Sequence, residues 1–278
     1  VYVDIDAETW NINPAAVAAA ITANTRAILP VDVFGLTADM DPIRQLATKH
    51  HLWVIEDSCE ALGAEYKRRP AGTLGDVGVF GFYPNKQMTT GEGGMIVTND
   101  ESLYKLIVSM RSQGRGEGGA WLSHQRLGYN YRLSDINCAL GIAQMSRIDE
   151  ILEKRRRVAG YYLQRLGEDR RIRLQKIPAD CRISWFVMVV RLSDDYTSVD
   201  RDRIMEALRA QGIGCNNYFP AIHLQPFYQQ SLGTRRGDFP VTERIADRTI
   251  ALPFHNHLPE SDQRTVVNAL KELLAARR

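Results

Sequence analysis

The stretch Leu52-Trp53-Val54-Ile55-Glu56-Asp57-Ser58-Cys59-Glu60 constrains the fold more than any other. Four apolar residues run without interruption into two acids. Such a run predicts a parallel strand covered on both faces, because a half-exposed strand would alternate. The flanking pattern agrees. Residues 14–23 form an alanine-rich helix candidate, with Asn13 as N-cap and Pro14 in the first turn. Residues 27–33 predict a strand, 40–50 a helix capped by Asp39 or Asp41, and 77–82 and 95–98 two shorter strands. Alternation of strand and helix indicates βαβ units around a mostly parallel sheet, hence an α/β fold.

Further along, 101–111 reads as a helix and the glycine-rich 114–119 as a mobile loop, a candidate lid. Residues 134–166 carry a long, broken helical pattern with Ser134 as cap. Residues 182–192 predict a strand, 201–211 a helix and 261–276 a closing amphipathic helix. The expected division is a large domain over 1–150 and a smaller α+β domain over 151–278. The chain opens at Val1 in a strand-like stretch, 1–5, with no preceding turn. We therefore expect the large domain to be incomplete at its leading end.

Composition removes several classes of function. Of 278 residues, 44% are hydrophobic and 24% charged, the balance of a globular chain. A net charge of +2 makes no case for nucleic acid or a membrane surface. The basic run Lys154-Arg155-Arg156-Arg157 lies in a helical pattern and reads as a solvated face. Cysteines 59, 138, 181 and 215 are too scattered for a metal framework and read as reduced cytosolic thiols. His255-x-His257 has no evident third ligand. There is no apolar run near the ~20 residues of a membrane span and no signal peptide. The expected location is the cytoplasm.

Chemistry concentrates in Gly78-Val79-Phe80-Gly81-Phe82-Tyr83-Pro84-Asn85-Lys86-Gln87-Met88-Thr89-Thr90-Gly91-Glu92-Gly93-Gly94. Lys86 follows an aromatic run and a proline, and precedes a glycine-rich turn. A lysine walled in by rings and backbone can lose solvation and attack a carbonyl carbon. A lysine in an exposed loop fits the local pattern equally well. Asp57 stands at the carboxyl end of its strand, where ligands collect in open α/β sheets, although an N-cap fits there too. One chemistry sets a lysine and a carboxylate against the same ring: pyridoxal 5′-phosphate catalysis, in which the lysine holds the aldehyde and the carboxylate keeps the pyridine nitrogen protonated. Thr89, Thr90 and the 91–94 turn suit either an anion or a tight turn between strands.

Several blocks together resemble the DegT/DnrJ/EryC1/StrS family of sugar aminotransferases, pyridoxal-phosphate enzymes of fold type I. They are Pro30-Val31-Asp32-Val33-Phe34-Gly35, Ile55-Glu56-Asp57-Ser58-Cys59-Glu60-Ala61-Leu62-Gly63-Ala64, Gly72-Thr73-Leu74-Gly75-Asp76, and the Lys86 segment. The match continues at Leu127-Gly128-Tyr129-Asn130-Tyr131-Arg132-Leu133-Ser134-Asp135, at Tyr218-Phe219-Pro220-Ala221-Ile222-His223 and at Ala251-Leu252-Pro253-Phe254-His255. It spans nearly the whole chain, in family order. The family's leading segment, with its Ser-Gly-Thr phosphate turn and stacking aromatic, has no counterpart here.

The resemblance implies that Lys86 is the Schiff-base lysine and proton shuttle and that Asp57 partners the pyridinium. It implies that Asn130 reaches the phosphate of a neighbouring subunit's cofactor in a homodimer, with Arg132 assisting or binding a substrate anion. Tyr218 and His223 stand as substrate-side candidates. Two positions depart from the family pattern. Gly81 replaces a phosphate-contacting serine, and Glu60 replaces a glutamine or histidine near the cofactor's phenolic oxygen. A carboxylate there is expected either to be protonated or to turn away. The implied reaction moves an amino group, from glutamate, onto a nucleotide-linked keto-sugar. Two alternatives are a sugar dehydratase of the same family, which the presence of Lys86 disfavours, and a truncated, non-catalytic, dimer-forming relative.

Overall fold

The computed structural model describes residues 1–116, 118 and 123–276. Helix α1 (Pro14–Ala20) begins as expected, with Asn13 Oδ1 accepting from Ala15 N and Ala16 N. Strand β1 (Ala27–Ile28) leads to α2 (Met40–His50), β2 (Trp53–Asp57), the short β3 (Glu65–Tyr66) and β4 (Arg69–Pro70), then β5 (Val77–Gly81) and β6 (Gly94–Val97). The central sheet runs β1-β2-β5-β6. β1 and β5 lie parallel to β2, and β6 returns antiparallel to β5. The sheet is thus mixed and mostly parallel. β1 is shorter than expected: Pro30 has no N–H to donate, and beyond it the pairing is an isolated bridge of Val31 to Asp57, bonded through Pro30 O and Asp32 N. Residues 1–5 form no strand; Ile5 makes a single bridge to Ile12.

Successive β2 side chains point to opposite faces. Val54 is fully buried, in one cluster with Ile28 of β1, Val17 of α1 and Met40, Ile43 and Ala47 of α2. Trp53 lies on the other face and is 50% exposed, with Leu29 beside it at 54%. The expectation of cover on both faces therefore fails among the described residues: α1 and α2 shield one side only. Glu56 shares the covered face and is wholly buried. Its carboxylate accepts from Gly72 N (2.7 Å), Leu74 N (2.8 Å) and Gly75 N (3.1 Å). Asp76 closes the same loop, accepting from Val54 N and Arg44 Nη1. This is why the Gly72-Thr73-Leu74-Gly75-Asp76 block takes its form. Gly78 packs so closely that an added Cβ would lie 1.9 Å from Gly72 O.

Helix α3 (Glu101–Arg111) is capped by Asp100, which accepts from Leu103 N. The long helical pattern breaks at Ser146 and Arg147 into α4 (Asp135–Met145) and α5 (Ile148–Leu166). Ser134 caps α4 as expected, through Asn137 N. The 114–119 stretch expected as a lid lies partly outside the described residues.

After β7 (Ile172–Arg173), the expected strand over 182–192 appears as two pieces, β8 (Cys181–Arg182) and β9 (Met188–Leu192). The interruption has a cause. Ser184 N and Phe186 N donate to Gly35 O and Phe34 O rather than to sheet neighbours. Helices α6 (Ser198–Ala210), α7 (Pro226–Leu232) and α8 (Pro240–Ala246), β10 (Thr249–Leu252) and α9 (Glu260–Ala275) complete the chain. β9 is flanked antiparallel by β10 and β7. Tyr162, Leu166, Met188, Val190, Leu192, Leu208, Ile250 and Leu270 form the core that joins this sheet to α5, α6 and α9. Each large apolar side chain so buried contributes about 1.5–3 kcal/mol.

Candidate active site

The site lies at the carboxyl ends of β2 and β5. Asp57 is the last residue of β2, on the face opposite Glu56. Its backbone is held twice, by Asp57 N to Pro30 O and by Asp32 N to Asp57 O, both 2.9 Å. Its Oδ1 accepts from Cys59 N at 3.1 Å, the local bond that an N-cap-like acid makes.

Lys86 sits in the turn after β5, its N–H bonded to Tyr83 O. Its Nζ lies 3.6 Å from Glu60 Oε1 and 4.2 Å from the centre of the Phe186 ring. The side chain is only 16% exposed. Of the two readings that the local pattern allowed, the walled-in lysine describes this environment and the exposed loop does not. The cation on the face of an aromatic ring is held by the ring quadrupole.

Glu60 is buried between Phe34 and Lys86. Its Oε2 accepts from Phe34 N at 2.9 Å and its Oε1 faces Lys86. Burial raises the Glu60 carboxyl above the ordinary glutamate range; the Phe34 N–H and the Lys86 ammonium oppose the rise, and Asp57 adds to it. Cys59 feels the same charges. Burial pushes its thiol up to about 12, with the Asp57 carboxyl adding and Lys86 opposing. Asp57, Cys59, Glu60 and Lys86 therefore share one electrostatic neighbourhood.

Gly81 adjoins it. An added Cβ would lie 3.4 Å from Cys59 Sγ and 3.9 Å from Lys86 Cε, ordinary contact distances. The backbone has room for a side chain at 81 that this sequence does not supply. Tyr218 completes the wall: its ring centre lies 5.8 Å from Phe34 and 6.1 Å from Phe186. Burial raises its hydroxyl above the usual tyrosine range, and the Glu60 charge adds to the effect. Gln87 ties the segments together, donating through Nε2 to Glu60 O and Ser184 Oγ.

The remaining candidates lie elsewhere. His223 is buried, with Nε2 2.9 Å from Glu243 Oε1. Asn130 and Arg132 are exposed, Asn130 bridged to Ser112. Neither bonds to Lys86 or Asp57 among the described residues. The start of α4 nevertheless rests on the turn that follows Lys86, because Asn137 Nδ2 donates to Thr90 O at 2.7 Å. Thr89 and Thr90 spend their hydroxyls inside that turn, on Phe82 O and Glu92 O.

Two neighbours of the lysine escape the sequence reading. Phe186 falls inside what reads as a strand. Arg155 belongs to the basic run that reads as solvent-facing, and most of that run behaves so: Lys154 pairs with Glu150, and Arg156 and Arg157 with Glu153. Arg155 alone turns inward and is 6% exposed. The signal was present in the spacing. Arg155 stands in the stripe Ile151, Val158, Ala159, Tyr162, Leu166 that α5 buries.

The donor set fits pyridoxal phosphate: one shielded amine to hold an aldehyde carbon, and one carboxylate nearby, at a strand end, to face a ring nitrogen. Among the described residues no group of His, Cys, Asp and Glu is arranged to hold a metal ion, and no helix is long and apolar enough to cross a membrane. All four cysteines are free.

Comparison with known proteins agrees with this geometry. The profile of the DegT/DnrJ/EryC1/StrS aminotransferase family matches residues 1–271. GDP-perosamine synthase of Caulobacter vibrioides is 38% identical over 275 residues, covering 99% of this chain and 73% of that protein. The crystal structure of S. venezuelae DesV, in complex with a ketimine intermediate, superposes with a TM-score of 0.91 at 32% identity, over 100% of this chain and 72% of DesV. The PLP form of the putative sugar aminotransferase Spr1654 from Streptococcus pneumoniae superposes with a TM-score of 0.92 at 25% identity, over 98% of this chain and 74% of that one. With a lysine, an aspartate and a mostly parallel sheet arranged as described, the chain belongs to the DegT/DnrJ/EryC1/StrS family and is a pyridoxal-phosphate-dependent sugar aminotransferase.

Proposed function

We propose that this chain moves an amino group from glutamate onto a nucleotide-linked keto-sugar, a 4-keto-6-deoxyhexose. The observation that carries the reading is the shielded Lys86 amine, seated between Glu60 and Phe186 in the neighbourhood of Asp57. The relatives support the substrate class by what their names say: one makes a GDP-linked sugar and one is a putative sugar aminotransferase.

Pyridoxal phosphate, when bound, supplies an electron sink and a carrier for the amino group. The protein residues do the rest. Lys86 Nζ holds the aldehyde carbon and, once free, moves a proton at the substrate carbon. The Asp57 carboxylate favours a protonated ring nitrogen. Phe186 and Tyr218 keep water from the amine, and Glu60 orients it. Asn130 acts on the phosphate of a partner subunit's cofactor, with Arg132 beside it on the substrate side, so the working unit is a homodimer with shared sites. Tyr218 flanks the sugar, while His223, expected from sequence on the substrate side, is buried against Glu243 and braces the 218–223 segment. On this reading the chain divides into a large cofactor-binding domain over 1–150 and a smaller α+β domain over 151–278.

The test is direct. Titrating the purified chain with pyridoxal phosphate is expected to raise a visible absorption band that Lys86→Ala abolishes. Loaded protein given glutamate should release 2-oxoglutarate and aminate a nucleotide-linked 4-keto sugar. A loaded protein that leaves glutamate untouched would overturn the donor assignment.

A further inference from the structure

Arg155 is a buried guanidinium with no carboxylate within ion-pair distance among the described residues. Burial alone draws it down, to about 10. A charge taken out of water without a counter-charge is expensive, so what it touches matters. It donates to four backbone carbonyls. Nη2 reaches Lys86 O at 3.1 Å and Asn85 O at 3.5 Å; Nη1 reaches Phe186 O at 3.2 Å and Trp185 O at 3.5 Å. Its Cζ stands 5.5 Å from the Phe254 ring centre, and its Nε has no partner.

Those four carbonyls belong to two segments far apart in sequence, which Gln87 also joins through Ser184 Oγ. One carries the lysine. The other carries the ring on which the lysine's ammonium rests, 4.2 Å away. We propose that Arg155 is a positioning residue for the Lys86 amine: one edge of the guanidinium fixes the backbone of Lys86, the other fixes Phe186, and a single planar cation sets both the root and the seat of the amine. The proposal rests on Lys86 being the cofactor-binding lysine. The fork geometry explains the residue type. A lysine at 155 offers a point charge on a flexible stem and cannot hold two diverging pairs of carbonyls.

The experiment uses the full chain, freed of cofactor and then mixed with pyridoxal phosphate. Arg155→Lys keeps the charge and loses the fork; Arg155→Gln loses the charge and keeps two donors. At saturating cofactor, the visible band is expected to form about tenfold or more slowly in both variants, because a misplaced nucleophile loses its oriented approach. The pH midpoint of the band is expected to rise in Arg155→Gln, where a like charge near the amine has gone, and to stay put in Arg155→Lys. Thermal unfolding is recorded in parallel. Variants that melt earlier but form the band at the wild-type rate and midpoint would show that Arg155 only glues the segments, and the proposal fails. If Arg155→Gln does not fold, the rate in Arg155→Lys decides alone. Lys86→Ala is the control that separates the two claims: a band that survives it sinks the lysine assignment, whatever the Arg155 variants do.

Discussion

Replacing Glu56 by glutamine should cost the protein about 3 kcal/mol, and the structure supplies the reasons. The carboxylate is fully buried and takes three backbone N–H groups, one on Oε1 and two on Oε2. Glutamine can place its single oxygen where Oε2 was and keep Leu74 N and Gly75 N. Its amide nitrogen then points at Gly72 N, donor against donor. An unsatisfied buried donor costs about 1–3 kcal/mol, and each retained bond loses charge assistance of about 1 kcal/mol. Part of this is offset, because a buried charge disappears and with it the repulsion of Asp32. Urea unfolding of wild type and Glu56→Gln measures the difference directly. For a chain of this size 3 kcal/mol corresponds to roughly 6–12 °C in melting temperature. A loss under about 1 kcal/mol would mean that the three amides find water or the Gln oxygen equally well, and the account of the 72–75 loop would be wrong.

Three further outcomes are expected. Asp32 is buried, and burial, with the Glu56 carboxylate adding, raises it well above the ordinary aspartate range. Between the unfolded value near 4 and the folded one the native chain binds the extra proton, so stability should fall as pH rises through that window; Asp32→Asn should flatten the fall in urea midpoints, and an unchanged slope would assign it to another group. Glu60→Gln removes the carboxylate 3.6 Å from Lys86 Nζ and is expected to lower the pH midpoint of the visible band of loaded protein by about one unit; no movement would show that Glu60 does not act on the amine. Lys86→Ala should abolish that band, as set out above.

How much of this could be read from sequence depended on the range of the forces involved. Helix α2 spans the residues expected of it, 40–50, and α3 likewise 101–111, because their limits are set locally by the apolar period and, for α3, by the Asp100 cap. Lys86 and Asp57 stood out because their flanks are local as well. The break at 183–187 did not, since it depends on carbonyls of Phe34 and Gly35 some 150 residues earlier (a pairing no period encodes). Arg155 was misread for a different reason. Four consecutive basic residues on a helix suggest a wet face, yet consecutive residues point about 100° apart. One of the four must then fall on the stripe begun by Ile151. Counting from the buried positions instead of from the charges would have found it.

The raised thiol of Cys59 has a consequence for selectivity. An aldehyde arriving at the ends of β2 and β5 meets two nucleophiles side by side, a primary amine and a sulfur. Sulfur attacks as the thiolate, and a thiol held near 12 keeps its proton throughout the physiological range. Dead-end capture of the carbonyl by Cys59 is thereby suppressed without any steric barrier, and the reagent is left to the lysine.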